Sequence, residues 1–188
     1  MTDATRQLLD VLKERSFRTG KFTLASGATS DYYIDGRMTA VNSRGAYLIG
    51  QAIFDRLKGE RFDAIGGLEV GAVPLTAAAV VLFHVNGRPI DGFWVRDKTK
   101  THGTKKLIEG GPIGPGSRVV ILDDVLTTGA SAVKAVEAVK EAGCEVVKVV
   151  CLVDRLQGAR ELLASHGIPF DPLLTIEDFG ISVPPSGG

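Results

Sequence analysis

The sequence predicts an α/β fold, a doubly wound and mostly parallel sheet with helices on both faces. Two observations lead to this prediction. Short apolar runs rich in β-branched residues, such as 119–122 and 146–153, are typical of strands that are buried on both faces. These runs alternate with segments that carry apolar residues at helical spacing, and this order favours parallel strands joined by right-handed crossovers.

The amino-terminal part of the chain lies outside this alternation. Residues 3–15 place Leu8, Leu9 and Leu12 on one helical face and predict an amphipathic helix. Residues 17–35 contain scattered glycines and an aromatic pair, and they predict short strands and turns. We expect this part to form a small appendage on the main sheet.

The middle of the chain predicts two helices with a strand after each. Asn42–Ser43 is a helix start signal, and apolar residues at helical spacing follow as far as Gly59. Pro74 favours the start of a second helix over 75–85. The apolar stretches nearby predict strands over 62–65, running into Gly66-Gly67-Leu68, and over 89–95.

The remainder begins with a polar, basic and glycine-rich segment, 96–116, which predicts a long loop or ribbon. The elements predicted after it are a strand over 119–122, a helix from about Ala130 to Gly143, a strand over 146–153, a helix over 158–166 and a strand over 173–176. Residues 184–188 predict a disordered tail. Since no internal repeat is visible, residues 1–188 predict a single domain.

Composition argues against two classes of partner. The chain has 22 Lys plus Arg and 22 Asp plus Glu, so its net charge is zero, whereas nucleic-acid binders usually carry a basic excess. No apolar run reaches the roughly 20 residues of a membrane helix, and the start has no signal-peptide core. Cys144 and Cys151 lie in apolar surroundings and predict free, buried, reduced thiols. We therefore expect no nucleic acid or membrane partner, and a cytoplasmic location.

One segment combines two kinds of ligand-binding group. Residues 118–131 read RVVILDDVLTTGAS, in which a predicted strand delivers the adjacent acids Asp123 and Asp124 at its carboxyl end. Ligands bind at this edge in open α/β sheets. Residues 127–131 then turn into a helix, where free backbone N–H groups, the helix dipole and hydroxyl groups form an anion site. Gly129 leaves space for a phosphate to approach the backbone.

Carboxylates beside a phosphate site suit a phosphorylated sugar. The acids would accept hydrogen bonds from sugar hydroxyls, directly or through the water shell of a metal ion. Mg²⁺ is the expected ion because it prefers oxygen ligands and keeps several waters, so we assign Asp123 and Asp124 to it indirectly. The residues expected to bind this ligand are Asp123, Asp124, Val125, Leu126, Thr127, Thr128, Gly129, Ala130 and Ser131.

Each part of this segment also has a purely structural explanation. An acid pair can cap a turn, and Thr-Thr-Gly-Ala-Ser can cap a helix, but the joined segment favours a function. Other phosphate motifs are incomplete. Residues 66–71 have suggestive glycine spacing, yet Ala72 stands where a Walker loop needs lysine, and the glycines over 110–116 lack dinucleotide-binding spacing.

Basic residues are concentrated in the predicted loop after residue 95. They are Arg96, Lys98, Lys100, His102, Lys105 and Lys106. A solvated basic loop is the simpler interpretation. With the phosphate site downstream, the cluster also suits an anionic ligand, because cations that approach where negative charge develops stabilise a transition state more than the ground state. A closing loop would also exclude water.

The acid-containing segment resembles the donor-binding signature of type I phosphoribosyltransferases, and three further segments resemble the orotate phosphoribosyltransferases among them. These segments are RDKTKTHG at 96–103, FTLASG at 22–27 with SDYYID at 30–35, and Asp154–Arg155 after a strand. The resemblance covers about residues 3–180. It implies the type I phosphoribosyltransferase fold, with residues of about 1–40 contributing to a small amino-terminal hood over the base and 96–110 forming a flexible catalytic loop.

The resemblance also implies an activity and roles for individual residues. The activity is transfer of the phosphoribosyl group from 5-phosphoribosyl 1-diphosphate to orotate in pyrimidine biosynthesis, with Mg²⁺, giving orotidine 5′-monophosphate and diphosphate. Arg96, Lys100 and His102 would contact the donor, and Lys100, His102 and Asp124 would be catalytic. Thr127 and Arg155 would contact orotate, since a planar guanidinium suits a carboxylate. Lys100 and His102 would reach the partner's site, which implies a homodimer.

Three positions depart from the pattern of the family, in which many members have lysine at the first position and some have it at the other two. They are Asp97, Ala25 and Gly71. Lys98 is a candidate to compensate for the first. We expect residues 69–71 still to line the diphosphate through backbone N–H groups.

Two alternatives stay open. One is a phosphoribosyltransferase for a purine or another base, against which only the amino-terminal segment, the basic loop and Arg155 argue. The other is a non-catalytic regulator that senses the donor with the same fold. The balanced charge and the intact 100–103 segment favour an enzyme over that regulator.

Overall fold

The computed structural model describes residues 1–23, 29–97 and 107–183. Its strands are β1 (Phe17–Thr23), β2 (Thr29–Ile34), β3 (Ala64–Leu68), β4 (Asp91–Val95), β5 (Ile108–Gly110), β6 (Arg118–Leu126), β7 (Glu145–Asp154) and β8 (Phe170–Thr175). Its helices are α1 (Asp3–Arg15), α2 (Gly36–Ala40), α3 (Ser43–Leu57), α4 (Ala72–Val85), α5 (Ala130–Glu141) and α6 (Ala159–Ser165), and a 3₁₀ turn spans Ile176–Phe179.

Six strands form the main sheet, in the order β5-β4-β3-β6-β7-β8. β5 is antiparallel to β4, and the other neighbouring pairs are parallel. The chain leaves β3 towards β4 on one side, whereas it leaves β6 towards β7 and β8 on the other. The predicted doubly wound, mostly parallel α/β fold is therefore confirmed, and its switch point lies between β3 and β6.

Helices cover both faces of this sheet. α1, α3 and α4 pack with Val120 and Leu122 of β6 in one apolar cluster, whereas α5 and α6 pack with Val119 and Ile121 in the other. Successive side chains along a strand point to opposite faces, which explains this division. Both faces of β6 are buried, as its apolar run predicted.

The amino-terminal segment packs on the α3 side of the sheet. The predicted helix α1 forms with Leu8 and Leu12 fully buried. β1 and β2 pair as a separate antiparallel sheet, and Tyr32 and Ile34 of β2 share the apolar cluster with α1. Asn42 begins α3 as predicted, because its side chain accepts a hydrogen bond from the Gly45 amide at 3.1 Å.

The structure corrects the predicted ends of several elements. β6 continues to Leu126 instead of stopping at residue 122, so both acids lie within the strand, where pairing with β7 extends it. β3 begins at Ala64, and the two following glycines are part of it. α4 begins at Ala72, which places Pro74 inside its first turn. Ile176 belongs to the 3₁₀ turn instead of β8.

The short elements α2 and β5 were not predicted. Within the segment expected to be a loop or ribbon, residues 108–110 pair with β4, and the Arg96 amide donates to the Leu107 carbonyl at 2.9 Å. Residues 98–106 of the predicted catalytic loop, the segment 24–28 with Ala25, and the predicted tail 184–188 lie outside the described residues.

Two further sequence predictions concern thiols and the membrane. Cys144 and Cys151 are buried and free, as predicted. In the part of the chain that the structure describes, none of the helices has the length and apolar character needed to cross a bilayer.

Candidate active site at the switch point of the sheet

A cavity of about 270 Å³ opens at the carboxyl ends of β6 and β7. Its lining comes from four parts of the chain that are distant in sequence: Tyr33, Ile34, Asp35, Arg37, Gly71, Asp124, Val125, Thr127 and Arg155. This is the edge where open α/β sheets bind ligands. The cavity therefore brings Asp124, Val125, Thr127 and Arg155 of the predicted site together.

A larger cavity of about 610 Å³ lies elsewhere, between β5 and α5. Its described lining contains the acids Glu109 and Glu141 and no basic residue. An anionic ligand would find no positive group among these described residues, and neither predicted acid is one of them. The smaller cavity is the better candidate because it contains the predicted acid Asp124 together with the cations Arg37 and Arg155.

The adjacent acids Asp123 and Asp124 start from opposite faces of β6, but their carboxyl groups meet near Gly71, where an added β-carbon would lie 3.3 Å from Asp123 Oδ1 and 2.6 Å from Asp124 Oδ1. Since side chains alternate along a strand, Asp123 shares the α5 face of β6 with Ile121, and Asp124 shares the α4 face with Leu122. Asp123 is 6% exposed, and its Oδ2 accepts a hydrogen bond from Ser131 Oγ at 2.7 Å. Its Oδ1 accepts one from the Asp124 amide at 2.9 Å. Asp123 is therefore held inside the fold by groups of its own chain.

Asp124 is packed between two glycines. A β-carbon on Gly71 would lie 2.6 Å from Asp124 Oδ1, and one on Gly36 would lie 2.9 Å from Asp124 Cβ. Gly71 follows β3 and Gly36 begins α2, so the main sheet and the amino-terminal segment both meet at this carboxylate. The absence of side chains at these positions lets Asp124 face the cavity.

Burial changes the ionisation of both acids. Desolvation, followed by repulsion from Asp124, raises the pKa of Asp123 to about 7. Desolvation also raises the pKa of Asp124 above its usual range. A nearby cation or hydroxyl donors would stabilise the charged form of two such neighbouring carboxyls.

The segment after the acids turns into α5 with a backbone geometry that suits the predicted anion site. Gly129 occupies the N-cap position of α5 with a φ of 86°, a left-handed conformation that glycine adopts readily. It supplies no capping side chain, so the first amides of α5 have no side-chain acceptor at the N-cap. Thr128 and Ala130 are exposed here. The helix end can therefore present N–H groups to a phosphate.

Arg155 is the buried cation of the cavity. It is only 6% exposed, and its Nε donates to the Tyr32 hydroxyl at 3.0 Å. Its Nη2 donates to Ser30 Oγ at 3.3 Å, and its guanidinium carbon lies 4.6 Å from the centre of the Tyr32 ring. Both acceptors are neutral, and no ion pair joins Arg155 to an acid among the described residues. A buried guanidinium in this state favours an anionic ligand.

A second cation of the cavity, Arg37, was missed by the sequence analysis. It binds Asp35 through Nε and Nη2, each at 2.8 Å, and this pairing lowers the pKa of Asp35. A sequence signal for this pair was available, since Asp35 and Arg37 lie two residues apart in the segment SDYYIDGR. Tyr32 and Ser30 were also missed as contacts of Arg155, because they are more than 120 residues away in sequence.

The predicted donor residue Arg96 lies outside this lining. Its Nη1 donates to Glu109 Oε1 at 3.0 Å, and it lines a neighbouring cavity with Asp97 and Lys134. Lys100 and His102 lie outside the described residues. The other predicted donor residues of the segment 123–131 are not part of the lining: Asp123, Leu126, Thr128, Gly129, Ala130 and Ser131.

The described residues offer Mg²⁺ few protein ligands. Among residues 1–23, 29–97 and 107–183, no group of three or more His, Cys, Asp or Glu side chains is close enough to hold a metal. Asp124 faces the cavity, whereas both oxygens of Asp123 already accept hydrogen bonds. This donor set fits an ion that keeps several waters and binds through one or two carboxylates and a phosphate ligand.

Comparison with known proteins first identifies the class. The family described as Phosphoribosyl transferase domain matches residues 39–168. This range contains the acids of β6, the turn into α5 and Arg155. The fold and the site together define a phosphoribosyl transferase domain.

Individual relatives identify the family more narrowly. The orotate phosphoribosyltransferase of Bradyrhizobium diazoefficiens is 46% identical over 176 residues, which cover 92% of this chain and 94% of the relative. The crystal structure of Mycobacterium tuberculosis H37Rv orotate phosphoribosyltransferase in complex with Fe(III) dicitrate has a TM-score of 0.84 at 38% identity, covering 95% of this chain and 99% of that one. The same enzyme in complex with 5-phospho-α-D-ribosyl 1-diphosphate has a TM-score of 0.80 at 35% identity, with the same coverage. The chain belongs to the orotate phosphoribosyltransferase family.

Proposed function

We propose that this protein transfers the phosphoribosyl group of 5-phosphoribosyl 1-diphosphate to a ring nitrogen of orotate, releasing diphosphate. The product is orotidine 5′-monophosphate, and the reaction belongs to cytoplasmic pyrimidine biosynthesis. The observation that carries the proposal is one cavity lined by an acid, continued through Thr127 towards the amino end of α5, and containing a buried guanidinium with no acidic partner among the described residues. These groups suit, respectively, a ribose, a phosphate and a carboxylate.

The donor would occupy the turn between β6 and α5. Its 5′-phosphate would accept hydrogen bonds from backbone N–H groups at 127–131 and from the hydroxyls of Thr127 and Thr128. Asp124 would accept hydrogen bonds from the ribose hydroxyls. Asp123 would act indirectly, by holding the turn in place. It accepts a hydrogen bond from Ser131, which joins the end of β6 to the first turn of α5.

Orotate would bind at the other end of the cavity. Its carboxylate would pair with Arg155, because a guanidinium can donate two parallel hydrogen bonds to a carboxylate. Thr127 lines the cavity with Arg155 and would contact the ring. This arrangement favours orotate over bases that carry no carboxylate.

Mg²⁺ is the proposed cofactor. Asp124 would hold it through water, with Asp123 as a more distant acid. When bound, the ion would neutralise part of the charge on the diphosphate as that group departs. The direct contributions of this chain are to fix the ribose and the phosphate and to surround the reacting carbon.

The basic loop would complete the site. We assign Lys100 and His102 to stabilisation of the departing diphosphate, with Arg96 at the base of the loop. The transition state would resemble an oxocarbenium ion at the anomeric carbon. Arg96 is paired with Glu109 here, so a role in donor binding would require Arg96 to exchange that partner for a phosphate oxygen.

We further propose a homodimer in which this loop reaches the partner's site. The support is an exposed apolar face on α4, formed by Ala77, Val81 and Val85. Val81 and Val85 are 57% and 72% exposed. The face lies on the helix that begins beside Gly71 of the cavity. Burial of that face against a second copy would remove a row of apolar side chains from water.

A direct assay tests the proposed reaction. Incubation with orotate, 5-phosphoribosyl 1-diphosphate and Mg²⁺ should deplete the absorbance of orotate and form diphosphate in equal amount. Adenine, hypoxanthine and uracil are the comparison bases. No loss of orotate at any protein concentration, or faster consumption of another base, would refute the proposal.

A further inference from the structure

Tyr32 makes a contact with Arg155 that the proposed function does not use. The Tyr32 hydroxyl accepts the Nε hydrogen bond at 3.0 Å, and the face of the same ring lies 4.6 Å from the guanidinium carbon. We infer that Tyr32 is a positioning residue, which fixes the edge that Arg155 presents to the carboxylate of orotate. This inference rests on the proposed function, in which Arg155 binds that carboxylate.

The hydrogen bonds of Arg155 select one edge of its guanidinium. A carboxylate can bind two donors at once, either on the Nε–Nη2 edge or on the Nη1–Nη2 edge. Tyr32 occupies Nε, and Ser30 accepts from Nη2, which carries two N–H groups. The Nη1–Nη2 edge therefore keeps donors for a ligand, whereas the other edge is occupied.

The neutrality of Tyr32 matters for this role. A carboxylate at this position would orient Arg155 equally well, but it would also neutralise the positive charge that a ligand needs. A phenol hydroxyl satisfies the buried donor and leaves the charge available. Tyr32 therefore orients the guanidinium without competing for its charge.

Aromatic packing holds Tyr32 in place. Its ring is 8% exposed and lies 6.0 Å from that of Phe17, which lies 5.2 Å from that of Phe179. These contacts tie β2 to β1 and to the 3₁₀ turn at the end of the chain. They do not involve the hydroxyl, so Tyr32→Phe removes the acceptor and keeps the packing.

The test compares two nucleotides that differ by one carboxylate. Orotidine 5′-monophosphate carries the group, and uridine 5′-monophosphate lacks it. Titration calorimetry of Tyr32→Phe should show the Kd of orotidine 5′-monophosphate raised about 10-fold, equal to about 1.4 kcal/mol. The Kd of uridine 5′-monophosphate should stay within about twofold, because that ligand does not use the Arg155 edge.

Three further variants make the result decisive. Tyr47→Phe, which removes the hydroxyl of an exposed tyrosine on α3, should change neither Kd. Ser30→Ala should weaken only the carboxylate ligand, to a smaller extent. In an Arg155→Gln background, Tyr32→Phe should have no additional effect on orotidine 5′-monophosphate, as a double-mutant cycle requires for residues that act together.

The remaining outcomes would overturn the inference. Equal weakening of both nucleotides by Tyr32→Phe would mean that the hydroxyl only supports the fold of the amino-terminal segment. Unchanged binding of both would mean that it has no role at this site. If the wild type and Arg155→Gln showed the same ratio of the two Kd values, the assignment of Arg155 to the carboxylate would fail first, and the role of Tyr32 would fail with it.

Discussion

At the scale of single residues, two acids that are adjacent in sequence have different environments. Asp123 accepts hydrogen bonds from Ser131 and from the backbone, whereas Asp124 faces the cavity between Gly36 and Gly71. The alternation of side chains along β6 produces this difference. We therefore assign them different roles, with Asp124 contacting the ligand and Asp123 organising the turn.

Gly71→Ala tests the packing around Asp124. The added β-carbon would lie 2.6 Å from Asp124 Oδ1, so the carboxylate must move. We expect titration calorimetry to show donor affinity reduced several-fold, with little change in the melting temperature. Gly59→Ala is the matched control, since nothing lies within 4 Å of its β-carbon. Unchanged donor affinity in Gly71→Ala would contradict the proposed position of Asp124.

Asp123→Asn tests the cost of burying the acid pair. The folded-state pKa of Asp123 is raised to about 7, so its folded form binds a proton more tightly than the unfolded chain does. Proton binding by Asp123 therefore stabilises the fold at pH 4, and this stabilisation is lost as the pH rises to about 7. The variant should therefore melt at a higher temperature than the wild type at pH 8, by at least about 2 °C without ligand.

The increase in melting temperature caused by Asp123→Asn should be smaller at pH 5, where much of the wild-type Asp123 is protonated. Scanning calorimetry across this range measures the difference. A gain that does not depend on pH would argue against a raised pKa.

At the scale of elements, the sequence predicted the regular parts of the fold and missed the parts that depend on distant contacts. α1 and α5 follow from apolar spacing, and α3 from the Asn42 signal as well. β6 was predicted to end at residue 122, where its apolar run stops, and acids are depleted in strands. Pairing of Val125 and Leu126 with β7 overrides that preference. β5 has three residues and forms only by pairing with β4.

Part of the proposed site could be predicted from the sequence, and part could not. Residues 123–131 are contiguous, so a ligand-binding role could be predicted for them from one segment. The contact between Tyr32 and Arg155 depends on how the amino-terminal segment packs on the sheet, which no local pattern encodes. Gly36 and Gly71 are likewise meaningful only because Asp124 lies between them.

Val81→Glu tests the proposed interface on α4. The exposed apolar face would become charged, so we expect sedimentation to show monomers where the wild type shows dimers. If the basic loop acts in the partner's site, turnover should fall at least about 10-fold while donor binding persists. Ala164→Glu places the same charge at an exposed position of α6 and should change neither property. Full activity in a monomeric variant would rule out a shared loop.

At the scale of the whole molecule, the amino-terminal segment and the main sheet share an apolar cluster. Leu8 and Leu12 of α1 lie in the same cluster as Val120, Leu122 and Val150 of the sheet. Residues from both parts also line the cavity. We therefore propose that residues 1–188 form one domain that unfolds as a unit.

Leu12→Ala tests that proposal. Leu12 is fully buried, and its truncation should lower the free energy of unfolding by about 2–5 kcal/mol. The transition seen by the fluorescence of Trp94 in β4 should shift together with the transition seen by far-UV circular dichroism. Asp10→Ala, at an exposed position of the same helix, is the control. An unshifted Trp94 transition would show that α1 unfolds independently of the sheet.

We propose that Asp124 and the turn into α5 together bind 5-phosphoribosyl 1-diphosphate. Titration calorimetry with this donor and Mg²⁺, on the wild type and on Asp124→Asn, measures this binding. We predict saturable binding to the wild type at one site per chain, with affinity reduced at least about 10-fold in the variant, because a charged acceptor is lost. Equal affinity in the two proteins, or no binding to the wild type, would contradict the claim.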